Sequence, residues 1–197
     1  MKKNIDPEKP GARIYFTDFF DVSPKVLADY GAFNISPIVD LPLFIDPFLL
    51  FTSSKPEYVD LHEEIIRYLR FLRDKSVNAH VDRGALLSWY CFHEVHQNRL
   101  GFCVSGTKGA GLGMGFATGL NANLNKLFKD FGAEEITRGA HLEKLTLIKE
   151  RVGRDNISDF TTNLIKGYLL KYTETFAKAH ISEQKRKSVR VQRVEFN

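Results

Sequence analysis

Two aspartates spaced four residues apart, Asp155 and Asp159, are the residues of this sequence best suited to metal chemistry. They lie in the stretch VGRDNISDF (152–160), directly after Gly153 and at the start of a long amphipathic segment. Glu143 lies on the preceding segment, and a turn at the glycine can bring it close to both aspartates. Mg²⁺ and Mn²⁺ prefer such oxygen ligands, and a bound divalent metal activates water against a phosphodiester.

The hypothesis that follows is a metal-dependent nuclease. Its predicted metal ligands and catalytic carboxylates are Glu143, Asp155 and Asp159, and the predicted cofactor is Mg²⁺ or Mn²⁺. Lys144 or Lys166 is predicted to orient the phosphate or the attacking water. The competing interpretation is an ordinary helix start, in which Asp155 or the nearby serine caps the helix, Asp159 complements the helix dipole and the polar face is solvated.

A glycine-rich stretch, SGTKGAGLGMG (105–115), precedes a predicted helix. Its spacing fails the dinucleotide fingerprint, and Lys108 precedes the glycines, whereas the phosphate loop of nucleotide hydrolases has its lysine at the end. Backbone N–H groups before a helix nevertheless attract phosphate. The predicted phosphate-binding residues are Lys108, Gly109, Gly111 and Gly113. A flexible loop, or close helix packing through glycine, is the alternative.

Three further polar positions have weaker signals. His93 and His96 are three residues apart and lack an evident third ligand, so they do not form a zinc motif. Glu94 lies between them and is a candidate for joining an acidic cluster. Asp46 precedes Pro47 and is either a turn-forming residue or a site residue at the end of an apolar strand.

The composition is that of an ordinary globular protein, with 43% hydrophobic and 26% charged residues in a chain of 197. We expect one globular domain over residues 1–180, followed by a basic strand or tail over 181–197. The net charge of +4 comes mostly from that tail. No apolar run approaches the roughly 20 residues that span a bilayer, and no secretory signal is evident. We therefore expect no membrane contact. The two cysteines lie outside any CxxC motif and fit a protein of the reducing cytoplasm.

The pattern of apolar residues predicts an α+β fold with about five helices and a small mixed sheet. Aromatic and alternating apolar residues predict strands, and stripes at helical spacing predict helices. Extended segments are predicted at 13–20, 35–46 and 188–196. The segment 141–153 is predicted as a strand, with a short helix as the alternative. Helices are predicted at 23–30, 56–73 with Ser54 in a capping box, 84–98, after residue 115, and 157–180.

Four segments resemble an uncharacterised bacterial protein family: LPLFIDPFLLF, QNRLGF with the GLG that follows, HLEKLTLI, and VGRDNISDFTTNLIKGYLL. The resemblance covers most of the chain. It implies a bacterial cytosolic origin, a shortened or split form of a longer protein, and a setting such as phage defence. It brings no established activity, and no catalytic residue is assigned from it.

Three functions therefore remain open at the level of sequence. The leading one is the metal-dependent nuclease, with nucleic acid as partner. The second is a non-catalytic interaction module or fragment of a larger protein, which binds a protein partner through its aromatic faces and C-terminal strand. The third is a nucleotide-sensing domain built on the glycine-rich stretch.

Overall fold

The computed structural model describes residues 15–38, 41–95, 100, 112–127 and 154–194. Within these ranges a π-helical turn, Leu86–Tyr90, continues the fifth helix, and a 3₁₀ turn, Glu183–Lys185, follows the eighth. The helices are α1 Phe16–Phe20, α2 Pro24–Tyr30, α3 Pro47–Phe51, α4 Pro56–Asn78, α5 Arg83–Ala85, α6 Met114–Leu127, α7 Arg154–Leu164 and α8 Lys166–His180.

The predicted α+β fold with a small mixed sheet is wrong, because the described residues are mostly helical and contain no strand. Two isolated bridges are the only β pairing among them: Leu41 with Leu100, and Phe92 with Leu112. The predicted strands depended on short apolar runs. Such runs do not distinguish a strand from a short buried helix or an extended loop.

Both predicted terminal strands are corrected. The aromatic run at 13–20 contains α1, in which the rings of Phe16 and Phe20 lie 4.5 Å apart and Phe16 contacts Phe176 of α8. Its aromatic residues therefore pack one helix against another. In the predicted strand 188–196, the described residues 188–194 form no strand or bridge, and Arg193 has a left-handed φ of +51°. Several of these residues line a groove along α8.

The main core is built on α4. Its buried stripe contains Leu61, Ile65, Leu69 and Leu72, at the spacing that predicts this helix. The prediction of a helix over 56–73 is confirmed, and the helix continues to Asn78. The predicted capping box at Ser54 is wrong: the N-cap is Lys55, without a side-chain cap, and Pro56 takes the first helical position.

The π-helical turn and α6 complete this core. Tyr90 is fully buried and donates its hydroxyl to the Leu72 carbonyl at 2.7 Å. Phe92, just beyond the turn, exchanges two backbone hydrogen bonds with Leu112 and packs 4.5 Å from the Phe160 ring of α7. The predicted helix over 84–98 is therefore wrong beyond Tyr90, since residues 91–95 are not helical. The predicted helix after residue 115 is confirmed as α6, which buries Phe116, Leu120 and Leu124.

A smaller core joins α2 to α8. Ser23 caps α2 and Pro24 begins it, as the sequence predicts. Tyr30 and Tyr172 each donate a hydroxyl to the other's carbonyl at 3.0 Å. The chain leaves α2 through Gly31, whose φ of +81° is a left-handed conformation that favours glycine.

The helix predicted over 157–180 is two helices, α7 and α8, separated at Ile165, where φ is −99° and ψ is 14°. α7 begins at Arg154, three residues earlier than predicted. None of the helices in the described ranges combines the length and apolar character needed to cross a membrane.

Candidate functional site

The polar side of α7 is buried. Six consecutive residues of this helix are inaccessible to solvent, from Ser158 to Asn163. Phe160 faces the main core, whereas Asp159 and Asn163 are only 7% and 2% exposed on another side of the helix. The interpretation of this face as solvated is therefore wrong. Buried polar side chains are costly unless they are paired, so such a face calls for specific partners.

Three such polar residues connect α7 and the start of α8 to separate extended segments. Ser158 accepts a hydrogen bond from the Ile45 N–H at 2.9 Å. Asn163 donates to the His93 carbonyl at 2.8 Å. Lys166 donates to the Gln192 carbonyl at 3.2 Å. These side chains hold three pieces of backbone that are distant in sequence.

Asp159 lies among these anchors, one turn before Asn163. The pKa of Asp159 is raised from 3.8 to about 7. Burial is the largest cause, and the negative charges of Glu94 and Asp155 contribute the rest. Asp155 belongs to the same helix face, whereas Glu94 is carried by the segment that Asn163 holds. No hydrogen bond from any described residue reaches the Asp159 carboxylate. Ionising this carboxylate in the folded protein therefore costs free energy.

Basic groups lie at the other end of the same face. Lys166 is 7% exposed, and burial followed by the charge of Arg193 lowers its pKa. Burial also lowers the pKa of His93, with contributions from Arg193 and Lys166. Asp159 lies on α7, and Lys166 is the first residue of α8, beyond the break at Ile165. The site therefore has an acidic end at Asp159 and a basic end at Lys166.

The acidic end supplies hard oxygen donors of the type that Mg²⁺ and Mn²⁺ prefer. Across the described residues, however, no three His, Cys, Asp or Glu side chains converge closely enough to hold a metal by themselves. The donors therefore fit a divalent cation in their chemistry, and a protein-only metal cage is not formed by these residues.

Two of the three predicted metal ligands, Asp155 and Asp159, lie within the described residues, and the charges of Asp155 and Glu94 both act on Asp159. The third predicted ligand, Glu143, lies outside the described residues, as does Lys144. The same holds for Lys108, Gly109 and Gly111 of the predicted phosphate site, and for His96 of the histidine pair.

Two other candidates lie within the described residues. Gly113 lies directly before α6, and its carbonyl accepts the Ala117 N–H. Asp46 caps α3 by accepting the Phe48 N–H at 2.9 Å, so its turn-forming interpretation is confirmed.

The sequence reasoning missed Ser158 and Asn163 as buried anchors, and missed Arg193 at the basic end. A signal for the first two is present in SDFTTN. Ser, Thr, Asn and Asp are poor residues for a helix interior because their side chains compete for backbone hydrogen bonds. Five of them in six positions indicate that the helix is used for polar contacts. Arg193 has no comparable signal, because its position depends on how the tail folds back.

Comparisons with known proteins place the chain in a family and give no function. Neither the curated proteins nor the solved structures contain a match to it. A family model described as a domain of unknown function, DUF8370, matches residues 21–197. That match includes every residue of the site described above, so the chain belongs to the DUF8370 family.

Proposed function

We propose that this protein is a metal-dependent, nuclease-like hydrolase of nucleic-acid phosphodiesters, with Asp159 at the centre of its site. The observation that supports this most is the burial of Asp159 beside Glu94 and Asp155. Like charges around a buried position repel one another, and a bound proton or a bound cation relieves that repulsion. A divalent cation relieves it while leaving all three groups ionised.

In this proposal Asp159 and one of the two neighbouring carboxylates, Asp155 or Glu94, supply oxygen ligands to Mg²⁺ or Mn²⁺. When bound, the metal supplies Lewis-acid polarisation of the phosphate and a more acidic water. Magnesium sites in phosphate-processing proteins commonly use one or two carboxylates, with water and substrate phosphate completing the coordination. That pattern agrees with the described carboxylates, which do not form a complete metal site by themselves. Glu143 remains a predicted further ligand.

The basic end of the site has a separate role. Lys166 and Arg193 offset the charge of a phosphate placed beside the carboxylates, and the pKa of Lys166 is already lowered by burial and by Arg193. Lys166 thereby takes the phosphate-orienting role that the sequence assigned to it or to Lys144. The cytoplasmic, bacterial and phage-defence setting expected from the resemblance belongs to this proposal as well.

A second candidate function is a protein-interaction module, and one observation favours it. Large apolar side chains are exposed along residues 33–49, where soluble proteins normally keep such groups covered. The residues concerned are Phe33, Ile38, Leu43, Phe44, Phe48 and Leu49. The nucleotide-sensing alternative gains no such support, since Gly113 is the single predicted phosphate-binding residue inside the described ranges.

Cleavage assays on the purified wild type, Asp159→Asn and Asp60→Asn test the proposed activity. Asp60 is exposed on α4, so its variant makes the same chemical change away from the site. Circular single-stranded DNA, supercoiled DNA and RNA are incubated with Mg²⁺, Mn²⁺ or EDTA. We expect metal-dependent cleavage by the wild type and Asp60→Asn, and a loss of about 100-fold or more in Asp159→Asn, equivalent to about 2.7 kcal/mol.

Equal cleavage by the wild type and Asp159→Asn refutes the proposal. So does a wild type that cleaves none of the three substrates with either metal. Titration calorimetry with MnCl₂ is the second measurement: heat of binding must be present in the wild type and Asp60→Asn and absent in Asp159→Asn.

A further inference from the structure

A groove of about 830 Å³ lies between α8 and the segment that follows it, residues 181–194. Its floor is aliphatic along most of its length, with two phenylalanines from α1. The apolar lining residues are Phe16, Phe20, Leu170, Ala177, Ile181, Val189, Val191 and Val194. The groove is separate from the acidic end of the α7 site, whose carboxylates do not line it.

The far wall of the groove is formed by residues within 187–191, a segment that belongs to no helix or strand. Lys187, Ser188, Val189 and Val191 line the groove, and Arg190 does not. Val189 is 69% exposed. Within the described structure, residues 187–191 make no backbone–backbone hydrogen bond. This wall therefore offers both apolar side chains and backbone donors and acceptors to a ligand.

The charge around the groove is positive overall, although Glu174 and Glu183 also line it. Residues 166–194 contain eight Lys or Arg and two Glu, a net charge of +6, so the rest of the chain carries −2 of the total of +4. Some of these cations are already paired, as Lys178 is with Glu174 at 2.6 Å. Lys171 and Lys187 line the groove and form no ion pair with any described residue. The rim is therefore complementary to a negatively charged ligand.

We propose that this groove binds an acidic, amphipathic peptide segment of a partner protein. An extended peptide places apolar side chains on the aliphatic floor and directs carboxylates on the alternate side toward Lys171 and Lys187. α8 has 15 residues and is about 22 Å long, which an extended peptide of about seven residues covers.

The composition of the floor favours peptide over nucleic acid. Single-stranded nucleic acid binds by stacking bases on accessible aromatic rings. Here Phe16 and Phe20 pack against each other at 4.5 Å, and Phe16 also packs against Phe176. The remaining floor residues are aliphatic and offer no stacking surface. The peptide site is independent of the proposed hydrolase, because it uses none of Glu94, Asp155 or Asp159.

Fluorescence anisotropy with a labelled synthetic peptide that alternates Glu with Leu or Val tests the proposal. The control probes are the same peptide with Lys in place of each Glu, and a labelled oligo-dT strand. The test variant is Val189→Glu, which places a negative charge in the groove at an exposed position where it does not disturb the core. The matched control is Arg190→Gln, which changes the formal charge equally beside the groove.

We expect the acidic peptide to bind the wild type and the basic peptide not to bind. Val189→Glu should weaken the affinity at least about tenfold, and Arg190→Gln by less than about twofold. Equal binding of both peptides, or equal effects of the two variants, overturns the proposal. Stronger, Val189→Glu-sensitive binding of oligo-dT overturns it in favour of nucleic acid. Asp159→Asn should bind the peptide as the wild type does, which keeps this outcome distinct from failure of the proposed hydrolase.

Discussion

The substitution Asp159→Asn should make the protein more stable at neutral pH. The carboxylate is 7% exposed, and burial together with Glu94 and Asp155 raises its pKa from 3.8 to about 7. An amide of the same shape has no charge to bury and no repulsion from these neighbours. The substitution therefore removes a cost that the folded wild type carries and the unfolded chain does not.

The pKa difference sets both the size and the pH range of this gain. Below pH 3.8 the carboxyl group is protonated in both states, and the substitution should change little. Between 3.8 and about 7 the folded state holds a proton that the unfolded state has lost, so the stability of the wild type falls as the pH rises. Above about pH 7 the difference in the free energy of unfolding between Asp159→Asn and the wild type levels off at roughly 4 kcal/mol in favour of the variant.

Urea denaturation at several pH values between about 4 and 8.5 measures this difference. The exposed Asp60→Asn variant is the control and should differ from the wild type by no more than about 0.5 kcal/mol throughout. A stability difference for Asp159→Asn that does not change with pH, or that has the opposite sign at pH 8, would refute the reasoning. Excess Mn²⁺ should stabilise the wild type and not the variant, and so narrow the gap.

Two further substitutions test how the fold holds the site. Asn163→Ala removes the hydrogen bond to the partly buried His93 carbonyl, so we expect a loss of about 1 kcal/mol in the free energy of unfolding by urea. Faster amide hydrogen exchange at residues 91–95 should accompany it, and unchanged exchange there would contradict the anchoring role. Gly31→Ala forces a side chain into a left-handed conformation at φ +81°, which should cost about 1 kcal/mol in the same denaturation assay. A neutral or stabilising result would contradict the strain argument.

The sequence predicts the elements that depend on local patterns. α4 follows from its apolar stripe, and α2 follows from Ser23, Pro24 and the glycine at its end. The absence of a sheet from the part of the chain that the structure describes did not follow, because strands are identified locally only by composition, whereas their pairing partners are distant. Two of the predicted strands instead contact a helix. The aromatic run of α1 packs on α8, and the valines of residues 189–194 line a groove along α8.

The sequence likewise predicts only part of the candidate site. Asp155 and Asp159 were identified from their spacing and the glycine before them, and the structure does bring them to one face. The burial of Asp159 could not be read from the sequence, because a helical wheel distinguishes polar from apolar faces but does not show what covers each face. Here the cover is provided by residues 41–46, 91–95 and 189–194, all of which come from elsewhere in the chain.

The anchors on α7 also set the order in which the molecule can be completed during synthesis. Ser158 holds a residue 113 positions earlier, and Asn163 holds one 70 positions earlier. The ribosome makes both of those segments long before it makes the helix that fixes them. Their hydrogen bonds to α7 cannot form until most of the protein is already outside, and contacts of such long sequence separation form slowly. The hydrogen bonds that build the site therefore form only after the last quarter of the chain has been synthesised.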